Sequence, residues 1–132
     1  VYEDTLKTPD KAIYLLRTSV DGPTMGHDFY DRYRRARAEA GIDTYALTPM
    51  SEISYKHIKA GEDESMRYHR TPISLDDYTA PVEIDVYGSR VAFIAFGGTQ
   101  MATIIDSSPI AEAMRQILTV LSDHYKPTIT VG

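Results

Sequence analysis

The residues whose spacing comes nearest to a reaction are His57-Ile58-Lys59, followed by Asp63 and Glu64. A histidine that attacks phosphorus, beside a lysine that holds the phosphate oxygens, is a working pair for phosphodiester chemistry. Two features count against it. Asp63 falls one position early, with Glu64 in the slot the acid takes, and no apolar strand residues separate Lys59 from the acids. A hydrophilic loop explains the same run. Glu83 and Asp85 are two apart in an alternating stretch and share one strand face, either as an acid/base pair or as groups turned to water or to a polar cleft. Arg67 and Arg70 become neighbours if 66–70 is helical, and then clamp an anion between them. Ordinary surface arginines are the plainer reading.

The four histidines, at 27, 57, 69 and 124, form no i, i+4 pair of the kind that holds zinc on a helix. Cysteine is absent, which excludes disulfides and thiolate metal sites. No metal or cofactor is expected. Gly97-Gly98 after an apolar run resembles a phosphate cradle only superficially, since no Lys-Ser/Thr follows and another strand comes before any helix. A hairpin turn accounts for both glycines.

The elements that position these groups follow from periodicity. Tyr2 to Lys7 reads as the end of a helix, Ala12 to Arg17 as a buried strand, and Thr18 to Gly26 as a loop with Asp21-Gly22-Pro23 turn chemistry. Asp28 to Ala40 is a helix with Phe29, Tyr33, Ala36 and Ala40 on its apolar side, and Arg32, Arg34, Arg35 and Glu39 opposite. Arg32, Arg34, Arg35 and Arg37 give it a basic face, solvated or docking a partner. Gly41 caps the helix, and Ile42 to Leu47 is a second strand; the order favours a right-handed crossover and a parallel pair. Between Met50 and Met66 the pattern predicts a short helix with a solvated turn, then a strand at Tyr68 to Ile73 and a loop at Ser74 to Ala80.

Val82, Ile84 and Val86 alternate with polar residues, Tyr87-Gly88-Ser89-Arg90 turns the chain, and Val91 to Phe96 is the apolar run of a buried strand. Met101 to Ile105 makes a third strand of this unit. Asp106-Ser107-Ser108-Pro109 then opens a helix with Ile110, Met114, Ile117, Leu118 and Leu121 on one face. Core is the simpler assignment for Met114, Ile117 and Leu121, with an interface as the other. Residues 126–132 read as a tail or an added edge strand, leaving one domain over residues 1–125.

The whole chain has 132 residues, with 42% hydrophobic and 25% charged, the balance of one globular domain. The longest apolar run, Val91 to Phe96, is far short of a membrane span, and no signal segment is visible. The lack of cysteine suits a reducing interior, so the expected setting is cytoplasmic, with no membrane partner. A net charge of -5 disfavours nucleic-acid binding by this domain itself. The start at Val1, without an initiator methionine, fits a piece of a longer protein.

The run Pro81 to Phe96, then Ala102-Thr-Ile-Ile-Asp106 and Ile110 to Leu118, resembles the C-terminal effector domain of TrmB-like transcriptional regulators of archaea and some bacteria. The upstream half fits through Tyr2-Glu-Asp-Thr-Leu6, the Tyr33, Arg37 and Gly41 spacing, Leu47-Thr-Pro49, and Arg67 with Arg70. The resemblance spans Tyr2 to Leu121 and rests on the order of these pieces. The family often ends in a Trp after the last helix, whereas this chain has none and runs on through His124-Tyr125.

What the resemblance implies is an α/β phospholipase-D-like sandwich, a mixed β-sheet with helices packed on its faces, in a homodimer. DNA is bound only through an N-terminal winged helix that this chain lacks. Enzymes of that fold carry His-x-Lys on the strand equivalent to Pro81 to Val86, where this chain has Glu83 and Asp85, so the resemblance implies a retired catalytic site. The expected function is a catalytically inactive ligand-sensing and dimerisation domain, binding an unknown small-molecule effector. Ligands of open α/β sheets collect beyond the carboxyl ends of strands. That selects Thr18, Ser19, Thr48, Arg67 and Arg70, with Glu83, Asp85 and Tyr87 on the relic strand. The rivals are an active phosphodiesterase of the phospholipase D type and a ligand-free assembly module.

Overall fold

Ile13, Leu15, Leu16, Ala46 and Leu47 lie on two adjacent strands whose alternate side chains are buried on both sides, which is how the central strands of a covered sheet are built. The computed structural model describes residues 5–6, 11–18, 27–50 and 62–125. Ser19, His57, Lys59, the side chain of Phe29 and the segment 126–132 lie outside them. In chain order the elements are β1 (Ala12–Leu16), α1 (His27–Glu39), β2 (Asp43–Pro49), a short α2 (Glu62–Ser65), β3 (Tyr68–Ile73), β4 (Val82–Tyr87), β5 (Arg90–Ala95), β6 (Met101–Asp106) and α3 (Ser108–Tyr125).

The described strands form one sheet in the order β3-β2-β1-β4-β5-β6. β1, β2 and β3 are mutually parallel, as the crossover through α1 implies, and β4, β5 and β6 add antiparallel to β1 and to one another. The class is α/β with a mixed sheet. Two tight turns make the antiparallel half possible. Gly88 holds φ 60 at the first position of the β4–β5 loop, where type II′ hairpins place glycine, and Gly97 and Gly98 hold φ 88 and 84 between β5 and β6. That hairpin accounts for the glycine pair without any phosphate.

α1 ends in a Schellman motif at Gly41 (φ 76), with the Ile42 N–H donating to the Arg37 carbonyl at 3.1 Å. α1 packs on one face of the sheet, where Ile13, Leu15, Ile42, Ala46, Tyr68, Tyr87 and Ala92 make a core with Ala40 at its margin. α3 packs on the other, where Leu16, Leu47, Ile73, Val86 and Val91 meet Ala111 and Leu118. α3 starts from a Ser107 cap, whose Oγ accepts from the Ile110 N–H at 3.3 Å. Its far end is tied to β3 through the hydroxyls of Ser122 and Thr71 at 3.2 Å.

Two expectations about helix faces are corrected. Arg37, counted with the solvated basic face, is 1% exposed, because it follows Tyr33 by one turn and shares its inward side. In α3 the inward strip is Ala111, Met114 and Leu118, whereas Ile117 is 51% and Leu121 37% exposed. Ile110, Ile117, Val120 and Leu121 follow a second stripe turned off the sheet.

Candidate functional site

The α1 face carries a row of polar groups through its middle. The β1–β4 register sets Leu15 opposite Asp85 and Leu16 opposite Ile84, so one step on, Arg17 comes level with Glu83. The Arg17 Nε stands 3.5 Å from the Glu83 Oε1. Glu83 and Asp85 are both 0% exposed, while Val82 and Ile84, which alternate with them, are only half-buried. Of the readings open to this alternating strand, the water-facing one is excluded, because both carboxyls are enclosed.

Over these carboxyls lies the inward side of α1. The Arg37 guanidinium sits 5.0 Å above the Tyr33 ring and 5.5 Å above the Tyr68 ring, a cation held between aromatic faces. The Tyr33 hydroxyl is hydrogen-bonded to the Thr5 hydroxyl. Burial pushes the Tyr33 phenol above its ordinary value, against the lowering effect of Arg37. Burial, then the neighbouring charge of Glu83, pushes Asp85 well above the usual carboxylate range, with Arg17 and Arg37 pulling the other way. Neither Asp85 oxygen receives a hydrogen bond from an N–H or hydroxyl, and a bond with Glu83 needs a proton on one of the two. With no exposed surface and a second carboxyl beside it, Asp85 ionises only at a raised cost.

Of the residues chosen from sequence, Thr18, Glu83, Asp85 and Tyr87 are buried, the last three on this side of the sheet. Thr48 lies on β2 in the row of Arg17 and Glu83, its hydroxyl buried without a hydrogen-bond partner. Ser19 lies outside the described residues. Arg67 and Arg70 do not come together, because Tyr68–Ile73 is a strand and not a helix. Arg67 turns at φ 53 before β3 and pairs with Asp43 at 3.0 Å, at the amino-terminal end of the parallel strands. Arg70 makes a two-pronged bond to Asp63 at 2.9 Å on each prong and lies over the Tyr68 ring. Each arginine already holds its own carboxylate, so the shared anion clamp is not formed.

Arg17, Tyr33, Arg37 and Thr44 are the site residues that sequence reasoning passed over. Their signals were present. Arg17 continues the 13, 15, 17 alternation of β1, and Arg37 continues the Tyr33 side of α1. What periodicity did not give was strand order, which brings β1 and β4 together from opposite halves of the chain.

A concavity of about 300 Å³ lies on the α3 face between Tyr14, Tyr45 and Leu47 of the sheet and Leu118, Ser122 and Asp123 of the helix. Tyr14, Tyr45 and His69 stack there across three strands, with ring centroids 5.2 and 4.7 Å apart. His69 also bonds Asp43 at 3.1 Å, while His124 packs on Tyr125. Among the described residues no cluster of His, Cys, Asp and Glu has the geometry of a metal site. No described helix is long and apolar enough to cross a membrane. Comparison with protein-family models, with curated proteins and with solved structures finds no match for this chain.

Proposed function

We propose that this chain is the ligand-sensing and dimerisation domain of a transcriptional regulator of the TrmB-like kind, in a phospholipase-D-like form that has given up catalysis. The observation that carries the reading is the group of buried Arg37, Glu83 and Asp85 with half-buried Arg17 on the α1 face. Charged side chains cost several kcal/mol each to desolvate, and well-packed apolar residues often do as well or better for stability alone. A cluster with open hydrogen-bonding atoms in mid-sheet therefore favours a binding role over a purely structural one. In this reading Glu83 and Asp85 take the strand positions of a lost His-x-Lys pair, and DNA is reached only through a winged helix carried elsewhere. The cell interior is the setting.

The dimer half of the reading draws on the outer stripe of α3. Ile110, Ile117, Val120 and Leu121 are exposed, and Val120 is 68% so. The charged residues of that helix, Glu112, Arg115 and Asp123, belong to its other flank. A second copy carrying the same net charge of -5 meets least repulsion through such an uncharged stripe. An effector that prefers one arrangement of the pair biases whatever is attached to it.

The test is thermal denaturation against sugars, nucleotides, metabolite anions and amino acids, with the association state measured by light scattering alongside. A ligand that raises Tm saturably and shifts association supports the reading. Turnover of a chromogenic phosphodiester, abolished by His57→Ala and Lys59→Ala, overturns it in favour of an enzyme. Dimerisation with silence across the panel leaves an assembly module.

A further inference from the structure

The buried polar atoms that lack a hydrogen-bond partner are not scattered. Nε and Nη2 of Arg37, Oγ1 of Thr44, Oγ1 of Thr48 and both carboxyl oxygens of Asp85 all belong to the α1 side of the sheet. Each such atom has lost its water without a replacement, and native interiors keep few of them. Their gathering on one face points to a site completed from outside the chain.

Their chemistry narrows what completes it. Nε and Nη2 are the side-on edge of a guanidinium, two parallel N–H donors at the spacing of the two oxygens of a carboxylate. The other contacts of Arg37 are the Tyr33 and Tyr68 ring faces and the Tyr33 hydroxyl, none of which carries a negative charge. Arg17 is already paired with Glu83. Asp85, facing Glu83 on its own strand, Arg17 from β1, and Arg37 and Tyr33 from α1, keeps its proton well above the usual carboxylate range. Among the described residues of this cluster, one positive charge, that of Arg37, is left without a counter-ion while Asp85 is protonated.

We propose that the Arg37 and Asp85 cluster binds a small monocarboxylate, its two oxygens on the Nε–Nη2 edge of Arg37 and its remaining hydrogen bonds made with Asp85 and Thr44. One negative charge matches one free cation. A dianion brings a second charge with no partner, a neutral sugar leaves Arg37 unbalanced, and an organic cation is repelled by it. The proposal rests on the ligand-sensing reading and names the class of ligand.

The experiment is thermal denaturation of the chain with sodium acetate, propionate and lactate against sodium chloride, sodium sulfate and glucose at matched ionic strength. A saturable rise in Tm is expected with at least one monocarboxylate, growing by a constant step for each tenfold increase above its dissociation constant, and with neither chloride nor glucose. Arg37→Gln abolishes the rise. Affinity in the unaltered chain falls as pH rises through the raised folded-state pKa of Asp85, which then ionises and competes for Arg37, whereas Asp85→Asn binds with no such fall. An equal response in Arg37→Gln, or no saturable rise with any of the three carboxylates, overturns the proposal. Should Arg37→Gln fail to fold, a pH-dependent loss that persists in Asp85→Asn overturns it instead. If the carboxylates are silent but another ligand stabilises the chain and shifts association, this proposal fails and the sensing function stands. If a carboxylate binds and association does not move, the site stands and the sensing function fails.

Discussion

One sheet presents two chemically different faces. Toward α3 it offers Leu16, Leu47, Ile73, Val86 and Val91, an apolar surface closed by Ala111 and Leu118. Toward α1 the apolar floor of Ile13, Leu15, Ala46 and Ala92 is broken by Thr44, Glu83 and Asp85, under Arg37 from the helix. Both sides come from the same strands by alternation, so β4 sets Val86 in one core and Asp85 in the other polar cluster. The contrast separates labour. The α3 face holds the sheet together, and the α1 face carries buried groups that the fold alone does not need.

The largest expected effect breaks the α3 face. Leu118→Ala leaves a cavity between helix and sheet and is expected to destabilise by about 2–5 kcal/mol, read as a lower denaturant midpoint at unchanged m-value. Equal damage from an isosteric change on the α1 face would contradict the division. Asp85→Asn is that change, and its expected sign is opposite once pH rises through the folded-state pKa of Asp85. The folded-state pKa of Asp85 lies above its unfolded value, so the unfolded chain loses this proton first. The associated stability is complete below the unfolded pKa and drains away as pH rises through the folded one. Asp85→Asn should therefore gain on the unaltered chain as pH increases, by up to the ~1–3 kcal/mol scale of a buried unsatisfied group. Melting curves across pH that run parallel for the two proteins would refute this.

Much of the contrast was legible in the sequence, up to the point where separate strands had to be put side by side. Every described strand but β3 was marked by its alternation or apolar run, and Gly41, Gly88 and the Gly97-Gly98 pair marked their turns. The Glu83 and Asp85 pair stood out by spacing, yet spacing alone left water and a polar cleft equally open. Burial was decided by a neighbour distant in sequence, Leu15 across β1, as well as by Ala92 across the β4–β5 hairpin. The α3 helix misled for a different reason. It carries apolar residues on more than half its circumference, so period alone cannot tell the Leu118 side from the Ile117 side. Arg67 and Arg70 misled because a three-residue spacing is a neighbour relation on a helix and a split between faces on a strand.

A smaller effect sharpens how α1 is held over its face. Gly41 at φ 76 ends the helix one turn after Arg37, and a Cβ there meets nothing within 4 Å, so the strain in Gly41→Ala is purely of the backbone. The expected loss is about 1 kcal/mol, read by thermal melts. A loss of carboxylate binding larger than the loss of stability would show that the cap also aims Arg37.

The smallest effect is the control for burial itself. Asp43, Arg67 and His69 repeat the charge types of the buried cluster at the sheet's amino-terminal edge, in contact with water. The His69 bond, with help from Arg67, holds the Asp43 carboxyl below its ordinary value. Here the sign reverses: the contribution is present above the unfolded pKa and is lost as pH falls through the folded one. Because both partners are about half exposed, solvent screens the pairs, and Asp43→Asn should cost no more than about 0.2–1 kcal/mol at neutral pH and less in high salt. If its melting curves instead match Asp85→Asn in size and pH trend, then charge alone, and not its burial against α1, distinguishes the two faces.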